Sequence, residues 1–388
     1  MRIALPFLGS AVTLPLLLGQ PASAQIALSS EPKITLDAEV KVEMDLDMLG
    51  RRRGQPAYSD LYTKSELSTA LNLPSGFAIN GTFALEPAGR EVTGKDRYFA
   101  HHAGYVEELY LSWTRGPLEL YAGKIHPSFG FAWEKAPGIY GNDFALGYEL
   151  EQKLGAGAAV NWAEWLGLDE AFGQNYIRAE VFKDDTSFLS SSLGAARWQD
   201  GAGYRYRNRR RLGGADNTGG YTNYVLSAQG EKLRVPGGAL EYNLGYSYRQ
   251  PGQDSLDQGT AAGEHGYIAG FAWRIGPEDG TNLTPMVEWL RLENADAIRD
   301  LRRDVATVGL ALQHGALNLS YAYNWQRDAA RGARAESADE HTASIGYDLE
   351  AVAPWLKGFE GSLGWRRLRE SGDAADDFGV QVVYRYKF

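Results

Sequence analysis

The densest chemistry in the sequence is the segment YRYRNRRR at 204–211, which holds Arg205, Arg207, Arg209, Arg210 and Arg211. A guanidinium pairs in a planar, bidentate manner with carboxylate and phosphate, so such a cluster could act as an electropositive filter for anions. It could equally be a solvated loop, because runs of one sign are common on surfaces. Lys124 and Lys135 bracket a second stretch, KIHPSFGFAWEK, in which two ammonium groups border a set of aromatic rings.

Catalysis has less to work with. The histidines are His101, His102, His126, His265, His314 and His341. His101 and His102 are adjacent, and adjacent residues of a strand face opposite ways, with no further ligand at zinc-like spacing. His341 and Ser344 fall on opposite faces for the same reason. Neither Gly-x-Ser-x-Gly nor His-Glu-x-x-His occurs, and there is no cysteine for thiol chemistry. The sequence predicts no catalytic residue, no metal, no cofactor and no enzyme.

The elements that carry these residues are strands. In KITLDAEVKVEMDLDM, Ile34, Leu36, Ala38, Val40, Val42, Met44 and Leu46 share one face, while Lys33, Asp37, Glu39, Lys41, Glu43 and Asp45 lie opposite. ALEYNLGYSYR and LNLSYAYNWQ alternate in the same way, with aliphatic residues in the middle and aromatic ones toward one end. Long alternating strands with aromatic ends and charged backs suit a bilayer, where about 9 to 11 tilted residues span the hydrocarbon. Backbone groups cannot be left unpaired in lipid, so such strands must close into a barrel.

The N-terminus agrees with export. MRIALPFLGSAVTLPLLLGQPASAQ has one charge, Arg2, then an apolar run, then Ala22-Ser23-Ala24 as a small-x-small cleavage site. We expect a signal peptide at 1–24 and a single barrel domain over 25–388. The formal net charge is -10, and no nucleic-acid partner is expected of this acidic chain.

Short turns (72–76, 114–117, 153–157, 234–238, 275–282, 313–315) alternate with longer polar segments (47–59, 87–104, 126–142, 199–220, 250–264, 293–303, 327–338, 370–376). That is the pattern of a membrane barrel with short periplasmic turns and long extracellular loops. The count favours an all-β, transmembrane antiparallel β-barrel of eighteen strands. Sixteen is the alternative if segments 158–165 and 188–198 are not barrel strands.

At YVEELYLSWTRGPLELYAGKIHPSFGFAWEKAPG a strand, a tight turn and a second strand end in Gly123-Lys124-Ile125, then Pro127 and Phe129-Gly130. This passage resembles bacterial outer-membrane porins, especially the phosphate-selective porin O and P group. The last ten residues, GVQVVYRYKF, resemble the assembly signal of the same class, with Phe388 as its terminal ring. The ending is Pro127-Ser128-Phe129-Gly130, and the inner faces lack a regular Lys and Arg ladder, so phosphate selectivity does not follow. The resemblance implies the outer membrane of a Gram-negative bacterium, contact with its lipids and lipopolysaccharide, insertion by the barrel-assembly machinery through the C-terminal strand, and possible homotrimers.

The expected function is passive diffusion of small hydrophilic solutes or ions through a water-filled barrel narrowed by an inward loop. Two loops are candidates, 127–143 and 198–220. The constriction candidates are Arg205, Arg207, Arg209, Arg210, Arg211, Lys124 and Lys135. The expected pore lining is Asp37, Glu39, Lys41, Glu43, Glu108, Arg178, Glu180, Glu241, Arg249, Arg274, Glu288, Arg385 and Lys387. Export of an anionic polysaccharide and a nonconducting structural or adhesive barrel are the alternative readings.

Overall fold

The computed structural model describes residues 26–29, 33–52, 54–89, 92–195, 207–252, 261–278 and 280–388. The barrel strands are β1 (Ile34–Leu49), β2 (Tyr58–Asn72), β3 (Phe77–Pro87), β4 (His102–Arg115), β5 (Leu118–Ile125), β6 (Lys153–Asn161), β7 (Gln174–Asp184) and β8 (Asn223–Val235). They continue as β9 (Gly238–Arg249), β10 (Glu264–Ile275), β11 (Asn282–Glu293), β12 (Leu301–His314), β13 (Leu317–Ala330), β14 (Glu336–Asp348), β15 (Phe359–Glu370) and β16 (Asp373–Lys387). Each is antiparallel to the next, and β16 pairs with β1 from Phe378 opposite Met48 to Lys387 opposite Glu39, so the ring closes. The short strands Ile26–Ser29, Arg97–Tyr98 and Gly194–Ala195 attach to this ring.

The alternation places apolar side chains outside. Val42, Met44, Leu109, Leu111, Phe271, Val308, Leu310 and Ile345 are all exposed. An apolar belt of that extent around a closed sheet is matched by hydrocarbon, not by water. Among the described residues no helix is long and apolar enough to cross a membrane.

Sixteen strands close the barrel, which is the alternative count and not the favoured eighteen. Two readings account for the difference. KLGAG at 153–157 is not a turn but the first half of β6, paired along β5 with Ile125 opposite Lys153. The segment before it, 126–152, is one continuous loop that includes a short helix, Ala132–Lys135. Segment 188–198, which the sequence predicts as a strand, is described up to residue 195 and there holds a helical turn and a two-residue strand against β4. The 370–376 loop shrinks to a tight turn at 371–372 between β15 and β16. On the opposite rim, 162–173 is longer than a turn and carries two helical pieces, Trp162–Trp165 and Asp169–Phe172.

One local departure from strict alternation matters. Glu107 shares parity with the lipid-facing Leu109 and Leu111, where a carboxylate would be costly. A β-bulge between the pairs Thr82–Glu108 and Phe83–Val106 resolves the conflict. Both Glu107 and Glu108 are thereby buried, at 1% and 2% exposure.

Candidate constriction

Loop 126–152 leaves β5 and folds into the barrel, where Phe129, Phe131, Trp133, Phe144, Tyr148 and Leu150 pack with Ile268, Met286, Leu290, Leu292 and Val305 of the wall. Its backbone is held by wall side chains. The Ser128 N–H donates to Glu180 Oε2 at 2.7 Å, and Tyr121 donates to the other oxygen of the same carboxylate at 2.7 Å. The Gly130 N–H donates to Asn243 Oδ1 at 3.2 Å. Glu288, 1% exposed, accepts from the N–H groups of Phe131 at 2.7 Å and Ala132 at 3.1 Å, and also from the Tyr148 hydroxyl. These N–H groups open the helix Ala132–Lys135 and have no partner within it, so the carboxylate and the helix end satisfy each other.

The wall gives the loop room. A Cβ placed on Gly270 would lie 2.3 Å from the Phe131 ring, and one on Gly309 would lie 2.5 Å from Pro137. Both glycines have inward parity, so any side chain there would displace the loop.

The loop then reaches the far wall. The Ile139 N–H donates to Ser344 Oγ at 3.1 Å, Tyr140 donates to Asp47 Oδ1 at 2.6 Å, and Asn324 donates to the Gly141 carbonyl at 3.0 Å. Arg366 is the centre of this end. Its guanidinium pairs with Asp143 of the loop and with Asp377 of β16 at 2.7 Å, and it lies over the Tyr140 ring at 4.5 Å. A buried arginine is tolerable only with such compensation.

Two charged groups of the loop are shifted by their surroundings. Burial raises the Glu134 carboxyl to about 7; Lys135 works against that shift, while Glu231 and Glu241 reinforce it. Burial disfavours the Lys135 ammonium, but Glu241, with which it pairs, and Glu134 outweigh this and hold its pKa above the usual lysine value. At the loop's return, burial pushes Glu149 well above the ordinary carboxylate range, with Glu151 and Glu107 adding to it. His126 Nδ1 is 3.9 Å from that carboxylate.

The remaining wall, β1 to β4, has a different chemistry. Its inward side chains include Glu43, Asp45, Asp47, Asp60, Glu66 and Glu108, against Lys41 and Lys64. Lys41 pairs with Glu43 at 3.0 Å, and Arg97 reaches in from the 88–101 loop to Asp60 at 2.6 Å.

The positions expected to line a pore all have inward parity, opposite to exposed apolar neighbours, and most are paired. Asp37 accepts from Asn72 at 2.7 Å, Glu39 pairs with Lys387 at 3.2 Å, and Arg178 pairs with Glu119 at 3.7 Å. Arg249 donates to Glu264 at 2.6 Å, Arg274 pairs with Glu278 at 3.0 Å, and Arg385 pairs with Glu360 at 3.8 Å. Glu180, Glu241 and Glu288 have turned out to be seats for the loop, which strand parity alone does not reveal.

Among the constriction candidates, Lys135 is on the inward loop. Lys124 is not at the constriction: it is 1% exposed, donates to the carbonyls of Val106 at 2.8 Å and Leu189 at 2.9 Å, and pairs with Asp185 at 3.2 Å. It ties the 185–189 segment to the barrel wall. Arg207, Arg209 and Arg210 are exposed, with Arg207 donating to the Thr186 carbonyl at 2.9 Å and Arg210 to the Gly219 carbonyl at 3.2 Å. Arg211 belongs to the helical turn Arg210–Leu212, and Arg205 lies outside the described residues. Phe388 projects outward against Tyr386, ring centroids 4.8 Å apart, and its N–H donates to Ala38 at 2.8 Å.

No family model matches the sequence, and no curated protein sequence matches it. Solved structures do. Outer-membrane expressed OmpT of Vibrio cholerae superposes with a TM-score of 0.55 at 10% identity, covering 93% of this chain and 100% of that one. OccK2 (OpdF) of Pseudomonas aeruginosa in complex with glucuronate gives 0.52 at 12% identity, covering 91% and 98%. OpdK of the same organism with vanillate gives 0.50 at 12% identity, covering 91% and 99%. At these identities the likeness is one of fold, and that fold is a closed antiparallel β-barrel found in outer-membrane proteins.

Proposed function

We propose that this protein is a Gram-negative outer-membrane porin through which small hydrophilic solutes diffuse passively, with loop 126–152 setting the constriction. The observation that carries the reading is the seating of that loop inside the barrel, on Glu288 at one end and Arg366 at the other. A barrel of this size encloses an aqueous channel unless something folds in, and a loop held by buried hydrogen bonds narrows it to a fixed cross-section. No catalytic group is needed for this.

On this reading the β1 to β4 wall, where carboxylates outnumber lysines, gives the channel a preference for cations. Arg207, Arg209 and Arg210 act on this reading at the outer surface and not as the filter. Small carboxylates are useful first test solutes, because the solved barrels of similar fold include complexes with vanillate and glucuronate. Trimer formation, proposed in parallel with an OmpT structure described as a trimer form, and delivery to the assembly machinery by Phe388 complete the reading. Planar-bilayer recording of the purified protein tests it: discrete conductance steps and a cation-side reversal potential in a salt gradient are expected. A silent protein would contradict the porin reading.

A further inference from the structure

A tripeptide pattern repeats on alternate strands of the barrel: Trp289-Leu290-Arg291 on β11, Trp325-Gln326-Arg327 on β13 and Trp365-Arg366-Arg367 on β15. In each, the tryptophan and the arginine two residues on share the outward parity of the exposed Val287, Tyr321 and Leu363. In each, the arginine is the one nearer the long-loop rim. Arg302 on β12 and Arg369 on β15 join the same outward zone, with side chains 45% and 53% exposed.

A guanidinium facing hydrocarbon is costly, so five of them outside a barrel mark the depth at which lipid headgroups begin. The tryptophans one step below agree, since such rings collect at the membrane interface. Arg291 lies over the Trp289 ring at 5.2 Å.

Protein carboxylates do not use up this charge. Asp304 is shared, at 2.7 Å from Arg291 and 2.9 Å from Arg302. Arg327 stands directly opposite Asp304 in the strand register, yet makes no ion pair among the described residues. Asp376 and Asp339 stand 3.4 Å from Arg367 and 3.5 Å from Arg369. The outer rim is also low here, with connections of only 294–300, 331–335 and 371–372, so no long loop overhangs the zone.

We propose that this outward belt on β11 to β15 is a binding site for a phosphorylated glycolipid of the outer leaflet. Its phosphates sit among Arg291, Arg327 and Arg367, and its acyl chains lie on the exposed apolar side chains below, including Val308 and Leu310. Phosphate fits because guanidinium donors left over after pairing with a shared carboxylate can bind it bidentately. The proposal rests on the barrel lying in an outer membrane and is independent of whether it conducts.

The test is native mass spectrometry of the full barrel in detergent, titrated with bisphosphorylated lipid A or with the dephosphorylated form. Wild type should retain the phosphorylated lipid at least roughly tenfold better than the variant Arg291→Gln, Arg327→Gln, Arg367→Gln, because the charge-assisted bonds are gone. Both proteins should hold the dephosphorylated lipid equally weakly. Equal retention of lipid A by wild type and variant would overturn the proposal, as would equal retention of the two lipids by wild type. Displacement by equimolar inorganic phosphate would show a bare anion patch and overturn the glycolipid assignment. Heat-modifiable gel migration reports folding of the triple variant. If that variant does not fold, Arg327→Gln alone breaks no ion pair and should still weaken retention measurably; unchanged retention would count against the site.

Discussion

The two halves of the inner wall are built for different tasks. From β7 to β16 the wall offers glycines where the loop presses closest, two carboxylates aimed at loop N–H groups, Glu180 and Glu288, and one buried arginine at the far end. From β1 to β4 it offers closely spaced charges, mostly acidic. The first receives most of the loop; the second meets it at Asp47, which accepts from Tyr140, and otherwise pairs its charges among themselves, as Lys41 with Glu43. The difference shows that the charge of a lumen cannot be summed residue by residue, because Glu180, Glu241 and Glu288 are occupied in holding the loop.

This contrast can be broken most severely at Arg366. Arg366→Ala strands Asp143 and leaves Asp377 with Arg52 and Glu340 with Asn324 alone, and loss of one partner from buried pairs costs about 3–5 kcal/mol. The expected outcome is a detached loop tip, seen as larger and noisier single-channel conductance and as a lower unfolding temperature. Glu288→Ala comes next. It orphans two backbone N–H groups at roughly 1–3 kcal/mol each, and should raise conductance with a smaller loss of stability. Gly270→Leu tests the steric side of the same seat: overpacking against Phe131 costs about 1–3 kcal/mol and should also widen the channel, without removing any hydrogen bond.

On the other half the effects should be on selectivity, not width. Glu43→Gln with Asp45→Asn should lower the cation permeability ratio by on the order of twofold while leaving conductance steps discrete. Equal reversal potentials for variant and wild type would show that this wall does not face the ions. The smallest effect is expected from pH. Glu134 has an ordinary carboxylate pKa when unfolded and about 7 in the folded loop, so its penalty is absent below the first value. Loop seating should therefore weaken as pH rises through that interval and level off above about 7, and Glu134→Gln should flatten the conductance change.

Much of the barrel was legible because lipid enforces alternation so strictly. The terminal strand, its outward Tyr384, Tyr386 and Phe388, and its closure onto β1 all follow from period-two patterning. The strand count did not follow, for a reason visible at Gly157. Its missing side chain makes room for the Tyr121 ring, 2.4 Å from where a Cβ would be, so a glycine placed for close packing looked like one placed for a turn. Glu107 escaped notice as a lumen residue because only the bulge turns it inward; a lone carboxylate within an apolar face was the available signal. The roles of Glu288 and Arg366 depend on contacts with distant residues of the loop, which strand parity does not encode.

The claim that loop 126–152, seated on one half of the wall, sets the width of a conducting barrel is tested most directly by single-channel recording of wild type beside Glu288→Ala with Gly270→Leu in the same bilayer. The account predicts discrete steps for wild type and clearly larger ones for the double variant, with the barrel still folded by its heat-modifiable migration. Identical conductance in the two folded proteins would contradict it.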